Sequence, residues 1–195
     1  RDVLGSRGLG DVYKRQNVMR LAAEELNAEN LVTVIDSANL STGIGLLVIE
    51  AAVMAQQGKS AAEIASYIET LKPLVRASFV VDTLTYLYRG GRCSGLAALA
   101  GGALKLHPRI SVEDGKMGPG KKYRGNMEKV VLSYVKDMEE AMKNARPERV
   151  FITHSGSAPE IVDKVRAYLN DLHVFYEILE TRAGGCLLYT SDAAD

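Results

Sequence analysis

Two short runs of β-branched and apolar residues, Leu31–Ile35 and Phe79–Val81, each end on an aspartate, and two helical patterns lie between them. That order constrains the chain more than any other feature. A strand followed by helices and another strand in one sheet argues for an open, parallel arrangement. Asp36-Ser37 then falls where a parallel strand delivers polar groups to a crevice. Ser41 is placed to cap a helix running from about Ile44 to Gln57, and Gly58 stops it. Ser60-Ala-Ala-Glu63 has the spacing of a capping box and opens a second helix to about Leu71. Upstream, Val18, Leu21, Ala22 and Leu26 share one helical face, which is expected to point inward.

The pattern changes after Arg89. Thr83–Arg89 reads as a short helix ending at Gly90-Gly91, and Leu96–Lys105 as an alanine-rich helix broken by His107-Pro108. Arg109–Glu113 and Lys116–Tyr123 flank Asp114-Gly115, a strong hairpin signal. Gly118-Pro-Gly120 weakens the second of these strands. Asn126–Ala145 is predicted as one long amphipathic helix, Val150–Thr153 as a strand ending at His154-Ser155-Gly156, Pro159–Leu169 as a helix and Val174–Leu179 as a last strand. The whole reads as an α/β chain: part of a parallel, Rossmann-like sheet, then a second, mixed α/β domain containing the hairpin. The expected domains are residues 17–88 and 89–185.

Both ends are set apart for a reason outside protein chemistry. Asp11–Gln16 can be encoded by GAT GTG TAT AAG AGA CAG, and the reverse complement of that DNA, read from its second base, encodes Cys186–Ser191. One inverted element thus accounts for both tails, and residues 1–16 and 186–195 are read as translated adapter sequence, which is excluded from fold reasoning.

The charges balance, 24 basic against 24 acidic, which does not suggest wholesale nucleic-acid binding. No apolar run approaches the length needed to span a bilayer, and the nearest, Leu46–Ala55, is interrupted by Glu50. Cys93 and Cys186 make neither a disulfide framework nor a zinc site. With no secretory pattern, the expected compartment is the cytoplasm. Locally the charge is uneven: Arg89–Arg124 holds eight Lys and Arg against Glu113 and Asp114. A positive field of that kind favours an anionic ligand or an acidic partner surface. Arg92 and Arg124 each stand beside glycine, which permits close approach, and a guanidinium holds a carboxylate or phosphate at two points.

Other chemical motifs are weak. Thr42-Gly-Ile-Gly45 opens a helix, but Val48 occupies the third position of the dinucleotide fingerprint, and tight helix packing explains the glycines better. His107, His154 and His173 form no ligand pattern. Asp36, Asp82 and His154 are candidates to converge at strand ends, with Ser37 or Ser155 as nucleophile, yet neither serine sits in G-x-S-x-G and a hydrolase is rejected. Cys93 reads as a buried small hydrophobe. No metal motif and no P-loop is present.

Val34-Ile-Asp36-Ser37 with Gly43-Ile-Gly45 resembles the DegV family of bacterial fatty-acid-binding proteins. So do Phe79-Val-Val-Asp-Thr-Leu84, Tyr86-Leu87, Gly90-Gly91-Arg92, His107-Pro108, Val112-Glu-Asp-Gly115 and Lys122-Tyr-Arg124-Gly125, in the family's order. The resemblance implies two α/β domains holding a long-chain fatty acid, an apolar tunnel for its tail and a few polar groups for its carboxylate. It implies no catalytic residue and no cofactor. The implied partner is a separate fatty acid kinase related to dihydroxyacetone kinase, which makes acyl phosphate for phospholipid synthesis. No nucleic acid is implied, and membrane contact only transiently. Thr83, Leu84, Gly91 and Arg92 are the candidate ligand contacts, and Arg92 and Arg124 the candidate docking residues. The family's Thr-Ser and Ser-Gly-Thr motifs belong upstream of Asn17 and its His-(Thr/Cys)-Gly-Pro motif after Gly185; His154 is not its counterpart. Residues 17–185 alone are therefore expected to bind lipid poorly. The rival reading is an enzyme acting on a small phosphorylated or carboxylated metabolite; a third is an interaction module with no ligand.

Overall fold

The computed structural model describes residues 10–83 and 106–183. In chain order these hold α1 (Gly10–Glu25), α2 (Thr42–Gln56), α3 (Ala61–Leu71), β1 (Ala77–Val80), β2 (Leu106–Glu113), β3 (Lys116–Arg124), α4 (Met127–Asp137), α5 (Glu139–Lys143), β4 (Arg149–His154), α6 (Pro159–Asp171) and β5 (Glu177–Arg182). The strands form a three-stranded sheet of order β1-β2-β3 and a two-stranded sheet β4-β5. The α/β class expected from the sequence is what the structure shows. The described residues divide into two compact units: residues 10–78 with 111–118, and residues 79–83, 106–110 and 119–183.

In the first unit, α2 and α3 pack through buried Leu47, Ile68 and Leu71, joined by Ile35, Ala51, Ile64, Tyr67 and Val75. Helix α2 ends in a Schellman arrangement. The Gly58 amide, at φ 77°, donates to Ala55 and the Lys59 amide reaches back to Met54. Helix α3 begins with the predicted capping box: the Ser60 hydroxyl accepts from the Glu63 amide while the Glu63 carboxylate accepts from the Ser60 amide. These bonds hold the Glu63 carboxyl below the usual carboxylate range.

Two expectations for this unit fail. Leu31–Ile35 forms no strand. The Leu31 and Val32 amides both close back onto the Ala28 carbonyl, so they are unavailable to a ladder. The inward face of the first helix is also different. Val18, Leu21 and Leu26 are exposed, Leu26 to 77%, while Gln16 and Ala23, seven residues apart, are buried.

In the second unit, Val135, Met142, Val165 and Leu169 form a core with Val150, Ile152, Phe175 and Ile178, so that α4, α5 and α6 pack on the parallel pair β4–β5. The hairpin falls where Asp114-Gly115 predicts it, with φ 50° and 71° at the two turn residues. It joins β1 in its sheet; β4 and β5 pair only with each other among the described residues. His107 and Pro108 lie inside β2 and end no helix among the described residues. The predicted single helix over 126–145 breaks at Met138, whose amide bonds Val135, three residues back, in a tightened turn. The last strand begins at Glu177, later than predicted, because the Tyr176 and Glu177 amides first bond the Pro147 and Glu148 carbonyls. The predicted helices over 83–89 and 96–105 fall, apart from Thr83, outside the described residues.

The two glycines of the Gly43-Ile-Gly45 motif play different parts. A Cβ on Gly43 would sit 1.9 Å from the Asn39 side-chain oxygen, whereas one on Gly45 meets nothing within 4 Å. Gly43→Ala is expected to lower unfolding stability by about 1–3 kcal/mol through overpacking. Gly45→Ala is expected to raise it by up to about 1 kcal/mol through helix propensity. Urea denaturation of the two variants checks the contrast.

Candidate functional site

Asp36–Ser41, between the extended segment and α2, is a tightly self-bonded loop. The Ala38 amide donates to Asp36 Oδ1 at 2.8 Å and the Asn39 amide to Ser37 Oγ at 3.2 Å. Asn39 is buried, and its Oδ1 takes the Leu40 amide at 3.1 Å. Ala38 and Ser41 both hold φ near 49°, a left-handed geometry that non-glycine residues rarely adopt. Ser41 is the first residue before α2, but its hydroxyl makes no capping bond. Asp36 and Ser37 therefore shape their own loop.

The end of β1 is tied to β2 by His107, which is only 4% exposed. Its Nδ1–H donates to the Val81 carbonyl at 3.0 Å. Thr83, two residues beyond that tie, is exposed, as is Asp82. Leu84, Gly91, Arg92 and Cys93 lie outside the described residues. His107 thus has a structural role that the sequence reading missed, having treated His107-Pro108 as a helix stop. The available signal was alternation: Pro108, Ile110 and Val112 are buried on one side of the strand.

The hairpin carries the basic residues. Lys116, Lys121, Lys122 and Arg124 are exposed on β3. Lys121 pairs with Asp137 of α4 at 2.6 Å and stands 5.7 Å above the Tyr123 ring. Tyr123, 6% exposed, meets Tyr134 edge to face at 6.3 Å. Its hydroxyl is buried without a well-formed hydrogen bond, and so is Nε of Arg109, which covers Gly120. Burial first, and then the Asp137 carboxylate beside it, push the Tyr123 phenol up to about 12. Lys121 and then Tyr123 hold the Asp137 carboxyl below its ordinary value. Arg124, the predicted docking residue, closes β3 at the surface. Of the cations on this strand, Lys121 is engaged by an acid of its own chain.

At the other sheet, His154 ends β4 and is bonded on both ring nitrogens, to Glu180 and to the Ser157 amide. Ser155, its neighbour, is exposed. Among the described residues no cluster of His, Cys, Asp and Glu fits a metal ion. No helix of the described residues is long and apolar enough to cross a membrane. A wide-open groove of about 390 Å³ runs along α4, lined by Asn126, Glu128, Lys129, Leu132, Ser133 and Lys136. With Leu132 as its one apolar lining residue, it does not suit a hydrocarbon chain.

The chain is thus an α/β protein carrying a basic hairpin, and its likeness to known proteins gives it a family. The chain belongs to the DegV family: the family profile, described as an uncharacterised protein of the DegV family, matches residues 15–190. A DegV domain-containing protein of Caldanaerobacter subterraneus is 38% identical over 117 residues, covering 59% of this chain and 42% of that protein. One from Deinococcus radiodurans is 33% identical over 154 residues, covering 79% of this chain and 54% of that protein. The chain thus spans about half the length of the curated relatives it matches. Among solved structures, a fatty-acid-binding DegV family protein from Thermus thermophilus aligns with a TM-score of 0.76 at 26% identity, over 93% of this chain and 64% of that one. DegV of Bacillus subtilis, described as a fatty acid binding protein, aligns at 0.67 and 25% identity, over 82% and 56%. The Streptococcus pneumoniae Fatty Acid Kinase B3 protein, loaded with linoleic acid, shares the fold at 0.76 with 20% identity, over 93% and 63%.

The Asp137 shift makes a pH prediction. Its folded pKa lies below the unfolded value, so its contribution is present above the ordinary carboxylate pKa and is lost as pH falls through the folded one. Asp137→Asn is expected to flatten the loss of stability below about pH 4. Thermal melts of both proteins from neutral to acidic pH check this.

Proposed function

We propose that the protein is a non-catalytic carrier of long-chain fatty acid. The observation that carries the reading is the match of the DegV profile to residues 15–190, joined to the 26%-identical fatty-acid-binding neighbour from Thermus thermophilus. The chemistry is sufficient for a carrier. Burying an alkyl chain supplies ~0.8 kcal/mol per methylene before entropic costs, so affinity needs no charged clamp. A few polar groups fix the head. In this reading Thr83, Leu84, Gly91 and Arg92 lie near the head group.

The second part of the proposal concerns delivery. The carrier presents its acyl carboxylate to a separate fatty acid kinase in the cytoplasm, and Arg92 and Arg124 dock on an acidic surface of that enzyme. Two features support it: the exposed position of Arg124 at the end of β3, and the excess of basic residues over 89–124.

Native mass spectrometry of the complete protein encoded by this gene tests the carrier reading. A mass increment of one long-chain fatty acid, retained on purification or gained on incubation with oleate, is the expected result. A nucleotide or sugar phosphate bound instead would favour an enzyme, and no uptake of oleate would refute the carrier. For docking, Arg124→Ala is expected to reduce kinase-dependent acyl phosphate formation roughly ten- to a hundredfold, with fatty-acid affinity nearly unchanged. Equal losses in both assays would move Arg124 into the lipid site.

A further inference from the structure

His154 has a largely covered side chain with a carboxylate against it, and the lipid-carrier reading leaves the residue without a role. It is the last residue of β4, and its side chain is 8% exposed. On one side, the Ser157 amide donates to Nδ1 at 3.2 Å. On the other, Nε2 lies 3.1 Å from Glu180 Oε1. A backbone N–H can only donate, so Nδ1 is the unprotonated nitrogen and Nε2–H is the donor to the carboxylate. The two contacts together fix the tautomer. Glu180 is in turn held by Arg166 of α6, which donates to Oε2 at 2.5 Å and to the Ile178 carbonyl at 3.1 Å. The strand itself is anchored independently: the Thr153 and Thr181 hydroxyls meet at 3.0 Å and the Ala183 amide donates to the His154 carbonyl.

The loop that His154 holds has few other restraints. Ser155, Gly156 and Ser157 are exposed, Gly156 has φ 91°, and α6 begins at Pro159 with no side-chain cap. The loop leaves the carboxyl end of a parallel strand, the edge at which open α/β sheets bring chemistry to the surface.

We propose that His154 is a proton-operated latch on the β4–α6 loop, closed when the ring is neutral and released when it takes a proton. A proton added at Nδ1 turns the acceptor of the Ser157 amide into a donor, and two N–H groups then face each other. The Nε2–H bond to Glu180 survives and gains charge, so the ring stays on β5 while the loop lets go. Among the described residues, the charged groups facing this switch are Glu180 and Arg166, with Arg182 as the cross-strand register partner of His154. Arg166 is itself engaged by Glu180. Histidine is the side chain whose charge ordinarily changes between pH 5 and 8, which sets the range to be tested.

Long-range ¹H–¹⁵N NMR of the histidine rings, with the Ser157 amide followed on the same samples from pH 8 to pH 5, tests the latch. The expected result has three parts: a pyridine-like Nδ1 on His154 at pH 8, its conversion on acidification, and a change in the Ser157 amide resonance with the same midpoint. His154→Asn keeps an acceptor at the Nδ1 position but cannot take a proton, so its Ser157 resonance is expected to hold constant across the range. A pyridine-like Nε2 at pH 8 would overturn the proposal. So would a Ser157 amide that ignores the titration of His154, or one that titrates equally in the Asn variant.

Discussion

The two-residue turn at Asp114-Gly115 is the constraint on which most of the described sheet depends. Both residues hold positive φ, the geometry that lets two right-twisted strands run side by side, and it fixes β2 against β3 over their length. That register places Arg109 of β2 over Gly120 of β3. The turn glycine also lies close to Ala38, itself in the left-handed region, so that the hairpin tip rests on the loop that leads into α2.

What the sequence made legible follows from whether the signal was local. The capping box at Ser60–Glu63, the Gly58 stop and the Asp114-Gly115 turn each satisfy their backbone groups within a few residues, and each was read correctly. The misreadings involve distant partners. Leu31–Ile35 has the composition of a strand, but a strand needs a neighbour, and here its first amides bond Ala28. The Val18–Leu26 stripe marks an apolar face without saying which way the helix turns. β5 carries charges that hide it from a hydrophobicity pattern. Glu177 is matched to Arg149 across the pair, and Glu180, whose register partner is Ile152, reaches His154 diagonally, contacts invisible before the parallel register is known. Of the candidate site, Arg124 and Thr83 fall at exposed positions, while Leu84, Gly91 and Arg92 lie outside the described residues.

The polar chemistry of the described residues is mostly turned inward on the chain itself. Asp36 and Ser37 shape their own loop, His154 holds Ser157 and Glu180, and Glu139 and Tyr168 bond each other, which raises that phenol to about 12. His154 apart, such groups serve architecture. The exposed cations of β3 are different, because a strand that keeps Lys116, Lys122 and Arg124 in solvent presents charge outward. Under the proposed carrier function, cargo would be held by hydrocarbon burial and the partner met through these outward charges.

The most direct test of this division of labour is a crystal structure of the complete protein with oleate bound. The account predicts a hydrocarbon tail enclosed by apolar side chains, with Lys122 and Arg124 in solvent and free of the lipid carboxylate. An apolar interior closed by the protein's own side chains, with the fatty acid held only at the basic strand, would contradict it.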